Sequence, residues 1–287
     1  MCVVERPRFE LQCGENKLCL GQRTLIMGIL NVTPDSFSDG GMFISPDRAL
    51  EQAEKMVRAG VDIIDIGGES TRPFSDPVEE DEEKRRVIPL IEKLASKVKV
   101  PISVDTCKSG VARRAIEAGA TIINDVSALR FDPKMAEVAA ETGTPVILMH
   151  MLGTPKTMQK NPYYDAIIAE IITFLQERIE YATSKGVKRE QIIVDPGIGF
   201  GKTVEHNLLI IKYLSFFHML NRPVMIGASR KFFIGQVLEK ENPLDREVGT
   251  GAVTCAAVLA GAHIVRVHNV RHNVEVAKMA DAIREAN

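Results

Sequence analysis

The chain has 287 residues, a hydrophobic fraction of 45% and a formal charge of −2, enough for one large α/β barrel or two modest domains. Charge this close to zero carries no signature of a nucleic-acid or anionic-membrane partner, and the runs EEDEEKRR (79–86) and KRE (188–190) read as solvated helix surface. The five cysteines, Cys2, Cys13, Cys19, Cys107 and Cys255, include no Cys-x-x-Cys pair, which argues for a reducing compartment and against zinc or a disulfide frame.

The first ten residues, MCVVERPRFE, are too polar for a signal peptide, and the longest apolar runs fall far short of a membrane span. The expectation is a soluble, cytoplasmic protein. The stretch FELQCGENKLCLG (9–21) alternates around Gly-Glu-Asn and predicts a β-hairpin within an N-terminal extension, residues 1–24, placed to close a barrel bottom. Eight short apolar runs follow: LIMGIL (25–30), VDIIDI (61–66), PISV (101–104), TIIN (121–124), PVILMH (145–150), QIIV (191–194), PVMIG (223–227) and HIVRV (263–267). Each is nearly continuous in apolar residues, as parallel strands covered on both faces require. Helical spacing separates them, as in DRALEQAEKMVRAG (47–60) and YDAIIAEIITFLQERIEYATSKG (164–186), each closing on Gly.

Eight strands alternating with helices predict a (β/α)8 TIM barrel with a short N-terminal hairpin, as a single domain over 1–287. An open doubly wound sheet is the second choice. In such barrels the site forms at the carboxyl ends of the strands. Those ends carry Asn31, Asp65, Asp105, Asn124 and Asp125, His150, Asp195, Ser229 to Lys231, and Arg266 with His268. A single Asp would be an ordinary cap, but polar groups at eight strand ends point to one convergent site.

Several of these residues also have plainer structural roles. Asp35, Ser36 and Asp39 suit capping and turning of the loop NVTPDSFSDGG (31–41). Asp65 suits the orienting of neighbours, His150 a hydrogen-bonded core position, and His206 with Asn207 the start of a helix. GIGFGKT (197–203) resembles a phosphate loop but has Pro196 where a Walker A motif needs Gly, so its glycines are read as letting the backbone and Phe200 close over a flat ligand.

Asp105, Asn124 and Asp195 suit an edge of N–H donors such as a pteridine presents, with Lys231 donating to a ring carbonyl. Arg266, His268, Thr71, Arg72 and the loops at 31–41 and 67–73 suit anionic oxygen. The expectation is an aromatic-free pocket with a polar floor and a cationic rim, for a heterocycle bearing phosphate.

These motifs, MGILNVTPDSFSDGG, DIGGESTRP, SVDT, INDVSA, MHM, DPGIGFGKT, SRK and RVH in this order, closely resemble the dihydropteroate synthase family of folate biosynthesis over nearly the whole chain. The resemblance implies transfer of the 7,8-dihydropterin-6-ylmethyl group from its diphosphate to p-aminobenzoate. It implies that Asp105, Asn124, Asp195, Lys231 and Arg266 hold the pterin, and that Asn31, Thr71, Arg266 and His268 hold the diphosphate. It also implies that Thr71, Arg72, Phe200 and Ser229 enclose p-aminobenzoate, that Asn31 helps place Mg2+, and that the protein is a homodimer.

The resemblance makes Asn31, Asp105, Lys231, Arg266 and His268 the catalytic set, and the loops at 31–41 and 67–73 lids that exclude water. Three positions depart from the family pattern: Phe74 replaces Gly, Asn269 a common Asp, and Phe232 the Ser whose hydroxyl helps bind the p-aminobenzoate carboxylate. A pterin-dependent methyltransferase, a Schiff-base aldolase using Lys231 and a non-catalytic pterin-binding paralogue are the competing readings.

Overall fold

The computed structural model describes residues 5–32, 46–70 and 75–286. A hairpin, β1 (Phe9–Cys13) and β2 (Asn16–Leu20), precedes eight parallel strands: β3 (Leu25–Asn31), β4 (Ile63–Gly67), β5 (Ile102–Asp105), β6 (Ile122–Asp125), β7 (Val146–Met149), β8 (Ile192–Asp195), β9 (Met225–Ile226) and β10 (Ile264–Val267). Helices α1 (Pro46–Arg58), α2 (Glu80–Ala95), α3 (Ser109–Glu117), α4 (Met135–Thr142), α5 (Ile167–Ser184), α6 (Val204–Lys212), α7 (Phe232–Leu238), α8 (Glu247–Leu259) and α9 (Val270–Glu285) alternate with the strands.

The sheet runs β8-β7-β6-β5-β4-β3-β10-β9, and the parallel bridge Val194–Val224 joins its two ends. The amide of Val194 donates to the Pro223 carbonyl at 2.9 Å across that join. The sheet is therefore a closed barrel. Each apolar run is a strand to within about two residues, although β9 holds regular pairing over only two. Asp65 lies in the middle of β4 rather than at its end, because the strand starts at Ile63 and extends to Gly67.

Two cores follow from the period of the strand. Successive side chains point to opposite faces, so positions two apart share one face. Ile64, Ile66, Val104, Ile123, Leu148, Val194 and Val265 point outward and pack with the helices in one large cluster. Met27, Ile63, Ile122, Ile147, Ile193, Met225 and Ile264 point inward and form a second cluster with Leu11, Cys13 and Leu20 of the hairpin. The hairpin thus plugs the bottom of the barrel, as its alternation predicts.

The chain before the first barrel strand is tied to the last helix by Arg6. Its guanidinium donates to the Gly21 and Ala262 carbonyls, to Thr24 Oγ1 at 2.7 Å and to Asp281 Oδ1 at 2.9 Å. Asp281 also accepts from the Thr24 amide at 2.6 Å. Not all of the charged run 79–86 is solvated: Glu83 is fully buried, and Lys108 Nζ donates to it at 2.5 Å. Among the described residues no helix is long and apolar enough to cross a membrane.

Removing one partner of a buried ion pair leaves the other charge uncompensated, at about 3–5 kcal/mol. Asp281→Ala strands the Arg6 guanidinium, and urea unfolding is expected to show a loss of that size with an unchanged m-value. A loss below about 1 kcal/mol would mean that water replaces the carboxylate.

Candidate functional site

The inward rows that are apolar at the barrel bottom become polar one step higher. Two residues beyond Ile63, Ile122, Ile193 and Ile264 come Asp65, Asn124, Asp195 and Arg266, and Asp105 lies beside Asn124 in the sheet register. A cleft opens at this level, lined by Asp105, Asn124, Val126, Met149, Asp195, Phe200, Met225, Gly227, Lys231 and Arg266. Its floor is polar, as expected, but the pocket is not aromatic-free. Phe200, Val126 and Met149 form an apolar wall with Met151, Met158 and Cys107 behind it, suited to the face of a flat ring.

Arg266 organises the floor. Its Nε donates to Asp65 Oδ2 at 2.6 Å and its Nη2 to Asp105 Oδ2 at 2.7 Å. Asn124 Nδ2 donates to the same Asp65 oxygen at 3.1 Å. Asp195 Oδ1 accepts the Gly197 amide at 2.7 Å. By contrast Asp125, next to Asn124, is spent on the chain itself. Its two oxygens accept the Ser127 and Leu129 amides, both at 2.8 Å, through a loop in which Ala128 and Leu129 have positive φ.

Burial disfavours charge here, and the partners push back. It raises the carboxyls of Asp105 and Asp195, with Arg266 opposing the shift at Asp105 and the Gly197 amide opposing it at Asp195. Burial opposes the charge on Arg266, but Asp65 and Asp105 outweigh it and raise its pKa. At Lys231 burial wins over the attraction of Asp195, and the amine falls to about 7.

The loop GIGFGK after β8 is shaped by close backbone approach. Gly197 has φ +71°, and a Cβ there would lie 1.9 Å from the His150 carbonyl oxygen. Asn207, at the start of α6, accepts the Gly199 amide at 2.7 Å, and His206 completes a capping box with Thr203. Both residues therefore belong to the helix start, as read from sequence. Lys231 Nζ donates to the Ile198 carbonyl and sits 4.2 Å from the centre of the Phe200 ring, a cation–π distance.

Sequence reasoning passed over Lys202. It is buried, and its Nζ donates to His150 Nδ1 at 2.9 Å and to the Phe200 carbonyl at 3.0 Å. Burial lowers Lys202 well below the usual range, and burial with the nearby Lys202 lowers His150 to about 2. A neutral imidazole accepting at Nδ1 agrees with both shifts, so of the two roles the sequence left open His150 takes that of a hydrogen-bonded core residue. The available sequence signal was a lysine that closes the Gly-rich turn behind a strand end, just before the helix begun by Thr203. Lys108 was also missed: it bonds Glu69 and Glu83 and so anchors the chain just before Thr71.

Asn31 ends β3 beside Gly67, and a Cβ on that glycine would lie 3.3 Å from Asn31 Oδ1 and 3.5 Å from Asp105 Cβ. His268 follows β10. Its backbone amide donates to Ser229 Oγ at 3.2 Å, and its Nδ1 lies 3.0 Å from the same oxygen. The site therefore brings together Asn31, Asp105, Asn124, Asp195, Phe200, Lys231 and Arg266, with Ser229 held to His268. Phe232 opens α7 and is 66% exposed. Thr71, Arg72, Phe74 and the loop from residue 33 to 41, with Asp35, Ser36 and Asp39, lie outside the described residues. Among the described residues no three His, Cys, Asp or Glu side chains form a metal cage.

The profile of the pterin-binding enzymes matches residues 27–268. The chain is 46% identical over 273 residues to dihydropteroate synthase of Synechocystis, covering 95% of this chain and 94% of that one. With dihydropteroate synthase of Bacillus subtilis it shares 49% over 262 residues, covering 91% and 89%. This chain belongs to the dihydropteroate synthase family of pterin-binding enzymes.

Solved family structures superpose closely. The Yersinia pestis synthase, solved with a sulfonamide drug complex, has a TM-score of 0.93 at 45% identity, covering 97% of this chain and all of that one. The Xanthomonas albilineans synthase in complex with 7,8-dihydropteroate has a TM-score of 0.88 at 40% identity, covering 98% of this chain and all of that one. The methyltransferase and binding-paralogue readings are not favoured, since the relatives named over nearly the whole length are synthases.

A lysine whose pKa falls to about 7 is separable from surface lysines. After reductive methylation with 13C-formaldehyde, one resonance is expected to titrate near pH 7 and to be missing from Lys231→Arg. If every resonance titrates above pH 9, the amine keeps its charge in the free protein.

Proposed function

We infer that this chain transfers the 7,8-dihydropterin-6-ylmethyl group from its diphosphate to p-aminobenzoate, giving 7,8-dihydropteroate and pyrophosphate. The observation that carries the reading is the donor and acceptor order of the cleft. Asp105, Asn124 and Asp195 offer acceptors along one edge and Lys231 a donor, beside an apolar wall containing Phe200. A pterin ring matches that pattern, with N–H groups towards the carboxylates, a carbonyl towards Lys231 and a face against the wall.

In the reaction the methylene carbon–oxygen bond breaks and its electron pair leaves with the diphosphate. The remaining pterin-methyl cation is delocalised into the ring, and the buried carboxylates Asp105 and Asp195 favour it electrostatically. The lone pair of the aniline nitrogen then forms the new carbon–nitrogen bond, and the nitrogen loses a proton. No protein nucleophile is required. Arg266 and His268 would bind the diphosphate, with Ser229 holding the imidazole. The p-aminobenzoate end would lie among Phe200, Ser229, Thr71 and Arg72, and the loops at 31–41 and 67–73 would exclude water that could capture the cation.

Mg2+ fits this donor set as an ion arriving with the diphosphate. A single neutral oxygen from Asn31 suffices when water and phosphate oxygens complete the shell, and the ion would neutralise the charge that develops on the leaving group. A homodimer is also part of the proposal. It is supported by exposed apolar side chains on α7, α8 and the turn between them, Val237, Leu244 and Val248. The cytoplasm is proposed as the compartment, on the scattered cysteines, of which the four among the described residues are unpaired.

The test is incubation of the pure protein with dihydropterin diphosphate, p-aminobenzoate and Mg2+, following both products. Equal amounts of dihydropteroate and pyrophosphate are expected. Pyrophosphate without dihydropteroate would show that the amine is not captured, and binding without either product would overturn the synthase reading. Phe232 generates a second expectation. Phe232→Ser restores a hydroxyl at the start of α7, and one hydrogen bond to a charged carboxylate contributes about 1.5–3 kcal/mol. The KM for p-aminobenzoate is expected to fall roughly tenfold or more, with sulfonamide inhibition strengthened in parallel. An unchanged KM would mean that backbone amides already hold the carboxylate.

A further inference from the structure

Asp65 is fully buried and does not line the cleft, yet it touches two of the residues that do. One of its oxygens, Oδ2, accepts from Arg266 Nε at 2.6 Å and from Asn124 Nδ2 at 3.1 Å. The other, Oδ1, is buried with no hydrogen-bond partner. A carboxylate held with one oxygen idle, at a level of the barrel where its neighbours Ile64 and Ile66 face the helices, is not there for packing alone.

We propose that Asp65 is the positioning residue of the pterin pocket, retaining Arg266 through Nε and fixing the Asn124 amide so that its carbonyl oxygen faces the ligand. The inference rests on the synthase reading for the identity of the ligand. Two geometric facts carry it. A carboxylate can only accept, so the Asn124 atom bonded to Asp65 is its NH2, and the planar amide directs Oδ1 the other way. Asn124 therefore turns its carbonyl oxygen, an acceptor, towards the cleft, with one amide N–H held by Asp65. Arg266 divides its fork between Asp65 and Asp105, so Asp65 takes up part of a cation that would otherwise pair with Asp105 alone. That division leaves Asp105 free to accept from a substrate N–H.

The isostere Asp65→Asn separates charge from shape. Its carbonyl oxygen can occupy the Oδ2 position, and its NH2 would fall where Oδ1 has no partner. Arg266 would then lean on Asp105 and compete with the substrate. The charged groups facing Asp105 are Asp65 on β4, Glu83 on α2, Asp125 on β6, Lys231 after β9 and Arg266 on β10. Removing the negative Asp65 lowers the Asp105 carboxyl, which Asp65 now helps to raise.

For Asp65→Asn the KM for dihydropterin diphosphate is expected to rise at least tenfold, with kcat changed less than threefold and the KM for p-aminobenzoate unchanged. The acid limb of kcat/KM is expected to move to lower pH, because Asp105 then deprotonates earlier. A purely structural role would lower Tm while leaving both the pterin KM and the acid limb in place. Either of them unmoved overturns the proposal.

Failure of the synthase reading itself is seen separately, as wild-type protein that makes no dihydropteroate. Calorimetry with dihydropterin diphosphate then decides: tenfold weaker binding to Asp65→Asn supports the positioning role, and equal affinity overturns it. If the variant does not fold, a crystal structure of the wild-type chain with a bound pterin serves instead. Asp65 is expected to keep Arg266 Nε and Asn124 Nδ2, with Asn124 Oδ1 towards the ring, and loss of either bond overturns the proposal.

Discussion

A closed barrel of eight parallel strands has an interior only a few side chains wide, and each strand supplies it with every second residue. That constraint governs the rest of the molecule. Apart from Ser103 on β5, the lower inward positions are apolar, and the hairpin residues Leu11, Cys13 and Leu20 cover them from below. The upper inward positions include Asp65, in the middle of β4, and Asp105, Asn124, Asp195 and Arg266 at or next to the carboxyl ends of their strands. Stability and chemistry therefore occupy successive layers of one interior, two residues apart along the same strands.

Placing acids at that depth has an energetic consequence. Isolated buried carboxylates would take up protons rather than stay charged. The cleft floor limits this by arrangement: Arg266 spans Asp65 and Asp105, the Gly197 amide holds Asp195, and Lys231 lies close enough to be attracted to Asp195. Burial still raises Asp105 and Asp195 and lowers Lys231. The unliganded site is therefore electrostatically incomplete, and the proposed ring, presenting N–H donors to the acids and a carbonyl to the lysine, would complete it. The same logic explains why the wall opposite is apolar, since Phe200, Val126 and Met149 lower the local polarity and so strengthen those few polar contacts.

The fold was largely legible in the chain, and so was the convergence of Asp105, Asn124, Asp195, Phe200, Lys231 and Arg266 on one cleft. Near-continuous apolar runs at regular intervals with helical spacing between them specify parallel strands and crossovers, and the eight runs match β3 to β10. Polar residues at the run ends marked the site because strands in a closed barrel all point the same way. The aromatic-free description of the pocket was wrong: Phe200, brought over the cleft by the Gly197 and Gly199 turns as the reading of those glycines expected, supplies an aromatic part of its wall. Lys202 was set aside with the failed phosphate-loop pattern, although its role is to tie His150 to the Phe200 carbonyl.

By itself the sequence determined the barrel, the hairpin beneath it, the family and which side chains meet at the top, because these depend on local period and on motifs continuous in the chain. Only the tertiary structure decided how those side chains divide the work. Whether Asp125 serves a loop while its neighbour Asn124 serves the cleft depends on which face of the strand each occupies. Whether Asp65 touches ligand or holds Arg266 depends on a partner on β10, separated by 201 residues. Hydrogen-bond partners that distant leave no periodic trace in the chain, so the closure of the barrel, rather than any local pattern, assigns them.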